Sequence, residues 1–378
     1  MVVAHRRLDG RVPHALRLAA GGAVLVTVLG CGTPTAPPAP RPASIAESGP
    51  RDGIPAPATA APASPPAIVV SSPAPATAPP QPPSAPGTGV SAPPASTPRK
   101  VAPAPIHAAP PPAAGPPHIM VIVMENREAS SVLGQPDAPY INSLASAYGQ
   151  ATQWYGVSHP SLPNYLAMLS GSDQGVQDDG TGYTFAGPTL VDQLAARGIG
   201  WRAYMEDMPA PCFGGASSGG YVKKHDPFMY FTSITGNPAQ CARVVPHPQL
   251  ITDLQSGGAP PFLFVTPNLC DDGHDCGNAS ADTWLRGEMQ MVMGSSWYRQ
   301  RGSVVITWDE GGSNNGCCGG ATGGQIPTIV VTAAGPRRLN APGDHCGMLR
   351  ALEEAYGVGL LGAAAGGASG DLRPLLAT

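Results

Sequence analysis

A short apolar, β-branched run that leads into two adjacent carboxylates constrains the fold of this chain more than any other feature. Residues 303–306 have the sequence Ser-Val-Val-Ile, which predicts a buried strand. Asp309 and Glu310 follow this run and precede Gly311 and Gly312, where the backbone can turn sharply. Open α/β sheets bind ligands at this carboxyl edge, and neighbouring carboxylates repel unless a cation or proton lies between them. The pattern predicts a ligand site, with a solvated acidic turn as the alternative.

Strand-like and helix-like segments alternate from residue 118 onwards. Further predicted strands occupy residues 119–124, 199–205, 262–266 and 326–331, and predicted helices occupy residues 138–148, 189–197, 282–294 and 348–356, with a short helix that starts near Ser161 and ends at Gly171. Pro327 indicates an edge strand or a strand start, and the Gly- and Pro-rich residues 208–247 predict a long irregular excursion. This alternation predicts an α/β fold, with a parallel sheet covered by helices on both faces.

Polar side chains recur where the predicted strands end. Glu125 and Asn126 follow the first strand, and a dense group of three acids and a histidine, which includes Asp271 and His274, follows residues 262–266. A calcium loop or a surface turn is the alternative for that acidic group. The recurrence at several strand ends, more than any single motif, predicts one site at this edge of the sheet.

Three further residues have both a functional and a structural interpretation. Ser161 lies at a predicted helix N-terminus, where free N–H groups favour negative charge, but a serine there can also be only an N-cap. His225 is either a site residue or a structural histidine. His345 follows Asp344, which we expect to cap the last predicted helix.

The first 117 residues predict export rather than a folded core. Residues 1–31 combine a basic start with a short apolar stretch that ends at Cys31, a pattern similar to a bacterial lipoprotein signal in which that cysteine is lipidated. Plain secretion and an uncleaved anchor are the alternatives. Residues 32–117 are rich in Pro, Ala, Ser and Thr and predict a semi-rigid, disordered linker. The folded domain is therefore expected at residues 118–378, on an exported bacterial protein that is either a surface lipoprotein or secreted.

The chain has eight cysteines, and an exported protein permits disulfides. Cys212 with Cys241 is a plausible staple of a long loop, and Cys270 with Cys276 could close the acidic loop. Three cysteines then compete for one bond, since the sequence does not give connectivity. These are Cys317, Cys318 and Cys346.

Five motifs in order resemble the bacterial phosphoesterase family of acid phosphatases and phospholipases C, within the alkaline phosphatase superfamily. The motifs are Met-Glu-Asn-Arg at 124–127, His-Pro-Ser-Leu-Pro-Asn-Tyr at 159–165, Lys-His-Asp-Pro-Phe at 224–228, residues 267–275, and Trp-Asp-Glu-Gly-Gly at 308–312. Each motif alone is weak, but together they cover residues 118–360. The resemblance implies an alkaline-phosphatase-like three-layer αβα sandwich with a mostly parallel central sheet.

The resemblance also implies the roles of individual residues. One divalent metal ion would be held by Glu125, Asn126, Ser161, Asp309 and Glu310, with Ser161 as the nucleophile. The other implied catalytic residues are His225 and His274, which would contact the phosphate, whereas His345 and Asp271 are possible residues of the site edge. The chain departs from the family at Asp226, where many relatives have Asn, and this predicts an extra negative charge near the phosphate.

The implied chemistry is metal-dependent hydrolysis of phosphoric esters, most simply of monoesters as in acid phosphatases. Phospholipase C activity on lipid head groups is the first alternative. The second is a surface-binding lipoprotein with a decayed site, although the retained site residues oppose it. Sulfatase chemistry lacks its expected motif. The expected partners are a phosphate-ester substrate, small or lipid, and a membrane through a lipid anchor. The net charge of −4 argues against nucleic acid.

Overall fold

The computed structural model describes residues 115–377. The strands are β1 Ile119–Met124, β2 Gly149–Ala151, β3 Trp154–Tyr155, β4 Trp201–Met205, β5 Ser217–Ser218, β6 Tyr221–Val222, β7 Val244–Pro246, β8 Phe262–Thr266, β9 Ser303–Trp308, β10 Thr328–Val331, β11 Arg337–Leu339 and β12 Gly343–Asp344. The predicted export signal, Cys31 and residues 32–114 of the predicted linker lie outside the described part of the chain.

The helices occupy the segments between these strands and after the last of them. They are α1 Pro139–Ala147, α2 Ser161–Ser170, α3 Leu190–Ala196, α4 Thr232–Thr235, α5 Pro238–Cys241, α6 Pro248–Ser256, α7 Asn278–Gly294, α8 Ser296–Arg299 and α9 His345–Tyr356, together with short 3₁₀ turns that include Lys223–His225 and Pro227–Tyr230. Residues 115–377 contain no helix with the length and apolar character that crossing a membrane requires.

Eight strands form the central sheet, in the order β11-β2-β10-β9-β1-β8-β4-β7. Strand β10 runs antiparallel to both of its neighbours, β9 and β2, and all the other pairings in this sheet are parallel. Every residue of β1, β8, β9 and β10 is buried, as the continuous apolar runs predict for strands covered on both faces.

The helices form two separate layers around this sheet. Helices α2, α3 and α9 contact one another, whereas α1, α6, α7 and α8 form a second contacting set. A sheet with an apolar set of helices on each face is a three-layer αβα sandwich. The predicted α/β class, with its mostly parallel sheet and helices on both faces, is confirmed.

The helix ends follow the predicted local signals. Gly171 ends α2 in the left-handed region with φ of 71°, where glycine has no Cβ penalty. The Asp344 carboxylate caps α9 by accepting from the backbone N–H groups of Cys346 and Gly347 at 2.9 and 3.2 Å. The predicted stop of α2 and the predicted cap of α9 are thus present in the structure.

Two predicted features of the chain differ from the structure. Residues 208–247 contain short strands and helices, including β7, one of the two edge strands of the main sheet, rather than only irregular backbone. Strand β10 is interior, and Pro327 immediately precedes it, so the strand-start interpretation holds and the edge interpretation is wrong.

The structure also decides the cysteine pairing that the sequence left open. Cys212 pairs with Cys241 and Cys270 with Cys276, as expected. A further disulfide joins the neighbours Cys317 and Cys318, so Cys346, which is buried, is the cysteine without a disulfide partner within residues 115–377. Disulfides persist in oxidising compartments, so these bonds indicate a location outside the reducing cytoplasm.

Candidate active site

The register of the central strands brings two of the predicted polar motifs together. Strands β1 and β9 are parallel, and Met124 lies opposite Trp308, so the residues that follow each strand emerge side by side. The Asn126 backbone N–H donates to Asp309 Oδ1 at 2.9 Å, and the Asp309 N–H donates to the Met124 carbonyl at 3.0 Å. The carboxyl edge of the sheet therefore carries Glu125, Asn126 and Asp309 as one group.

Ser161 is the first residue of α2, and its side chain points at this group. Its Oγ lies 3.3 Å from Glu125 Oε2 and 3.3 Å from Asn126 Oδ1. The N-cap position belongs to Pro160, which makes no capping hydrogen bond, and the Leu162 N–H in the first turn donates to Asp179 Oδ1 at 3.0 Å. Ser161 is fully buried. The N-cap interpretation of Ser161 is therefore wrong, because the hydroxyl faces the carboxylates rather than the helix N–H groups.

The loop before Ser161 is fixed by a side chain one turn further along α2. Asn164 Oδ1 accepts from the backbone N–H groups of Val157 and Ser158 at 2.7 and 3.1 Å, and its amide nitrogen donates to the Ser158 carbonyl at 2.8 Å. Asn164 is itself fully buried. The motif residue Asn164 thus holds the backbone that presents the serine.

The oxygen atoms around Asn126 have the composition of a cation site. One terminal atom of the Asn126 amide lies 2.6 Å from Glu125 Oε2 and 3.0 Å from both carboxylate oxygens of Asp309. If the amide nitrogen occupies this position, it donates to the carboxylates; if the oxygen occupies it, only acceptors face one another and a cation is needed between them. Hard oxygen donors of this kind fit a hard or borderline divalent ion.

The pKa shifts of the carboxyl groups at this edge also indicate a cation site. Burial, together with the neighbouring Asp309 and Asp272, raises the pKa of Glu125 well above its usual range. Burial and then Glu310 raise the pKa of Asp309 to about 7. Buried carboxylates that crowd together require a proton or a cation as compensation, so the residues present fit a bound metal ion.

Glu310, also implied as a ligand, faces a different partner in this structure. Its Oε2 contacts His159 Nδ1, and His159 Nε2 lies 3.0 Å from the Ser313 carbonyl. Burial and then the nearby Asp179 raise the pKa of Glu310 to about 8. Glu310 is adjacent to the oxygen group but is engaged with His159.

His225 lies between two carboxylates inside the site. Its Nε2 is 3.2 Å from Glu125 Oε2, and its Nδ1 is 3.5 Å from Asp272 Oδ2. Its ring stacks on Tyr165 with centroids 5.3 Å apart. Burial lowers the pKa of His225 well below its usual range. The Glu125, His225 and Asp272 side chains also offer three atoms within 4.8 Å of one another, a second grouping that could hold a metal ion.

The three other predicted residues, His274, His345 and Asp271, each contact a different partner. The His274 ring centroid is 6.1 Å from that of His225, and its Nδ1 is 2.7 Å from Asp275 Oδ1. His345 Nε2 lies 2.5 Å from the Asp309 carbonyl, which places this buried histidine directly behind the site. Asp271 instead accepts from the Asn268 side chain at 3.1 Å. The carboxylate that faces His225 is its neighbour Asp272.

Asp226, where the chain departs from the family motif, is buried and accepts a hydrogen bond from a tyrosine. Its Oδ2 accepts from the Tyr221 hydroxyl at 3.0 Å, within a buried turn. Burial raises the pKa of Asp226 to about 7. Asp226 is thus engaged with Tyr221, and the expected extra negative charge near the phosphate stays a prediction.

The loops that carry the serine and the carboxylates are joined through their backbones. Gly156 and Gly323 each donate to the other segment, Gly156 N–H to the Gly324 carbonyl at 3.0 Å and Gly323 N–H to the Gly156 carbonyl at 2.9 Å. A Cβ at Gly156 would lie 2.6 Å from the Gly323 carbonyl oxygen. The Glu128 carboxylate accepts from the Gly312 N–H at 3.0 Å. Only glycine permits this contact between the two loops.

Several side chains of the site were not predicted from the sequence. These are Tyr165, Asp272, Lys224, Asp179 and His159. Tyr165, Lys224 and His159 lie within the quoted motifs, so the motifs themselves were the signal. Asp272 differs from the predicted Asp271 by one position. Asp179 lies in no motif, and no pattern in the sequence marks it.

A buried serine lies beside a carboxylate and amide oxygen group at the carboxyl edge of an α/β sheet, the edge where ligands bind in sheets of this class. The model of the Phosphoesterase family matches residues 123–359, and the chain belongs to that family. The predicted family and enzyme class, a phosphoric ester hydrolase, are confirmed by this match.

Curated relatives include phosphatases from bacteria and fungi. A phosphatidylinositol-3-phosphatase of Mycobacterium tuberculosis is 32% identical over 246 residues, 64% of this chain and 77% of that protein. An acid phosphatase of Aspergillus fumigatus is 27% identical over 232 residues, 58% of this chain. The chain spans about half the length of that fungal enzyme, 51%.

Solved structures of similar fold have low sequence identity. A Vibrio parahaemolyticus protein in the alkaline phosphatase superfamily aligns with a TM-score of 0.46 and 14% identity, over 65% of this chain and 67% of that chain.

Proposed function

We propose that this protein hydrolyses phosphomonoesters through Ser161, with one divalent metal ion in the site. Glu125, Asn126, Ser161 and Asp309 would hold the ion, and Glu310 is the further ligand that the family resemblance implies. The contact of Ser161 Oγ with Glu125 and Asn126 at 3.3 Å is the observation that carries this proposal, since it joins the nucleophile to the ligand set. When bound, the ion would supply positive charge that favours the alkoxide form of a serine and polarises a phosphoryl oxygen.

The proton transfers use solvent water and a side chain of the site. Ser161 Oγ attacks phosphorus as the bond to the leaving alcohol breaks, and the serine proton passes to solvent water, because Glu125 is assigned to the metal ion. The alcohol leaves with a proton from a histidine, and His274 is the exposed one of the implied pair. Water then hydrolyses the phosphoserine, releases inorganic phosphate and restores the serine hydroxyl. The N-terminal end of the α2 dipole would favour negative charge at the transferred phosphoryl group.

Phospholipase C activity remains the second candidate, because the family resemblance includes both enzymes. The names of the relatives favour a monoester: one is a phosphatidylinositol-3-phosphatase and another an acid phosphatase. The binding-protein alternative is disfavoured by the site, in which Ser161 and the carboxylates of Glu125 and Asp309 are buried and Ser161 lies beside Glu125 and Asn126.

An assay with p-nitrophenyl phosphate, its phosphocholine ester and its bis ester tests the proposal. Purified wild type should prefer the monoester and lose activity in a chelator, and added divalent metal should restore it. Ser161→Ala is the matched inactive control. Preference for the phosphocholine ester would support the phospholipase alternative, and full activity after exhaustive chelation would contradict the metal site.

We further propose that the protein is anchored to a bacterial membrane through lipid on Cys31. The basic and apolar start of the chain and the Pro-rich residues after it support this proposal. Mass spectrometry of the mature N-terminus should find a lipid-modified Cys31. An unmodified peptide that still joins Gly30 to Cys31 would contradict it.

A further inference from the structure

Lys224 places a positive charge beside the proposed site. It precedes His225 in the 3₁₀ turn Lys223–His225, and its side chain is 18% exposed. Its Nζ donates to Asp179 Oδ2 at 3.1 Å. The other oxygen of that carboxylate, Oδ1, accepts from the Leu162 N–H at 3.0 Å, in the first turn of α2. Asp179 therefore ties the ammonium group to the residue next to Ser161.

The charge of Lys224 acts on the acidic residues of the site. Burial raises the pKa values of Glu125, Asp272 and Glu310, and the Lys224 charge opposes burial in all three. Lys224 is therefore close enough to these three carboxyl groups to interact with each of them electrostatically. A phosphate ester that approaches Ser161 meets this ammonium group among several carboxylates, so Lys224 can offset part of their repulsion.

Lys223, the preceding residue, binds different partners from those of Lys224. Its Nζ donates to the Thr181 carbonyl at 2.9 Å and lies 4.5 Å from the centroid of the Tyr230 ring. Lys223 is nearly buried, with 9% of its surface exposed. The two lysines carry equal charges on adjacent residues, but only Lys224 is linked to the first turn of α2.

We propose that Lys224 binds a non-bridging phosphoryl oxygen of the substrate and makes the enzyme prefer dianionic phosphomonoesters to monoanionic phosphodiesters. This inference rests on the proposed phosphatase function. An ammonium group attracts a dianion about twice as strongly as a monoanion at the same distance. Asp179 holds the side chain near the serine when no phosphate is bound, and the lysine exchanges this partner for the phosphoryl oxygen when substrate enters.

The test compares kcat/KM for p-nitrophenyl phosphate and for bis(p-nitrophenyl) phosphate in five proteins. These are the metal-loaded wild type, Lys224→Met, Lys224→Arg, Asp179→Asn and the charge control Lys223→Met. Lys224→Met should lower kcat/KM for the monoester about 10- to 100-fold, the range for a lost hydrogen bond to a charged group, and should lower the diester value much less. Lys224→Arg should retain most of the preference. Thermal unfolding of each variant checks that it is folded.

The remaining variants separate substrate binding from structural support. Asp179→Asn removes the partner but keeps the ammonium group, so the monoester preference should be retained, as it should in Lys223→Met. Equal losses on both substrates in Lys224→Met would overturn the inference. A loss of preference in Asp179→Asn as large as in Lys224→Met would also overturn it, since the ion pair rather than the ammonium would then matter. A wild type without monoesterase activity would instead refute the proposed function itself.

Discussion

The Tyr165 hydroxyl donates to Oε1 of Glu125, on the opposite side of the carboxylate from Ser161. Both side chains are fully buried, so neither can exchange this partner for water. Tyr165 also stacks on the His225 ring. A single aromatic side chain therefore contacts both a proposed metal ligand and a proposed phosphate-binding histidine.

Replacing Tyr165 with Phe should weaken both the fold and the site. The change leaves one oxygen of the buried Glu125 carboxylate without its donor, and loss of a hydrogen bond to a charged group costs about 1.5–3 kcal/mol. The free energy of unfolding, measured by denaturant titration, and the metal dissociation constant report the two effects. Tyr356→Phe is the matched control, because that hydroxyl donates to the Pro261 carbonyl at 3.2 Å. The control should lose some stability and retain kcat; an equal loss of kcat in both variants would contradict an orienting role.

Ser161→Ala should remove turnover and leave the fold intact. Because the Ser161 hydroxyl does not cap α2, we expect a stability loss below the roughly 1 kcal/mol typical of a lost N-cap. Turnover should fall by several orders of magnitude, since the covalent route is lost. Acid quenching of the wild type during turnover should trap phosphate on the peptide that contains Ser161. Label on His225 or His274 instead would assign the nucleophile to that histidine.

The two adjacent carboxylates of the central loop should differ in their effect on metal binding. Asp309 lies within the oxygen group around Asn126, whereas Glu310 contacts His159. Asp309→Asn should therefore raise the metal dissociation constant more than Glu310→Gln, and excess metal should rescue Glu310→Gln more fully. Activity titrated against metal concentration measures both. A larger defect in Glu310→Gln would show that Glu310 leaves His159 to bind the ion.

Glu353, in helix α9, should make stability fall as pH rises. Burial raises its pKa from 4.5 to about 8. One oxygen accepts from the Leu361 N–H at 3.0 Å, and the other has no hydrogen-bond partner in the described part of the chain. Between these two pH values the folded state binds more protons than the unfolded state, so stability is highest below about pH 4.5 and is lost through pH 8.

Glu353→Gln tests this prediction, because the amide keeps the shape but does not ionise. The decrease in melting temperature between pH 5 and pH 9 should be smaller in the variant than in the wild type. Glu354→Gln is the control, since Glu354 forms an ion pair with Arg350 at 3.1 Å on the same helix. If the pH dependence in Glu353→Gln were the same as in the wild type, ionisation of Glu353 would not be the cause of the stability loss at high pH.

The central strands and the residues at their ends were predictable because their signal is local. A continuous apolar run such as residues 119–124 has few alternatives to a covered strand, and whatever follows it emerges at the edge of the sheet. Strand β7 has three residues, one of which is Pro246, and it lacks that signal. The antiparallel direction of β10 was not predictable, because an apolar strand pattern carries no information on direction.

The direction of the side chains at the site could not be predicted from the sequence, for a different reason. Successive residues of an extended backbone point to opposite sides, so a motif that includes Asp309 and Glu310 does not determine which carboxylate faces the serine. The same uncertainty separated Asp271 from Asp272 in a turn. Such choices depend on partners distant in the chain, as His159 is distant from Glu310.

The close approach of Gly156 and Gly323 restricts how this enzyme can be recombined. Consider a chimera that takes the serine loop from a relative and keeps the carboxylate loop of this chain. If the relative has any other residue at the position of Gly156, its Cβ would clash with the backbone of Gly323. Successful exchange therefore requires both segments from one parent. In evolution, the two loops are expected to change together as a single inherited unit.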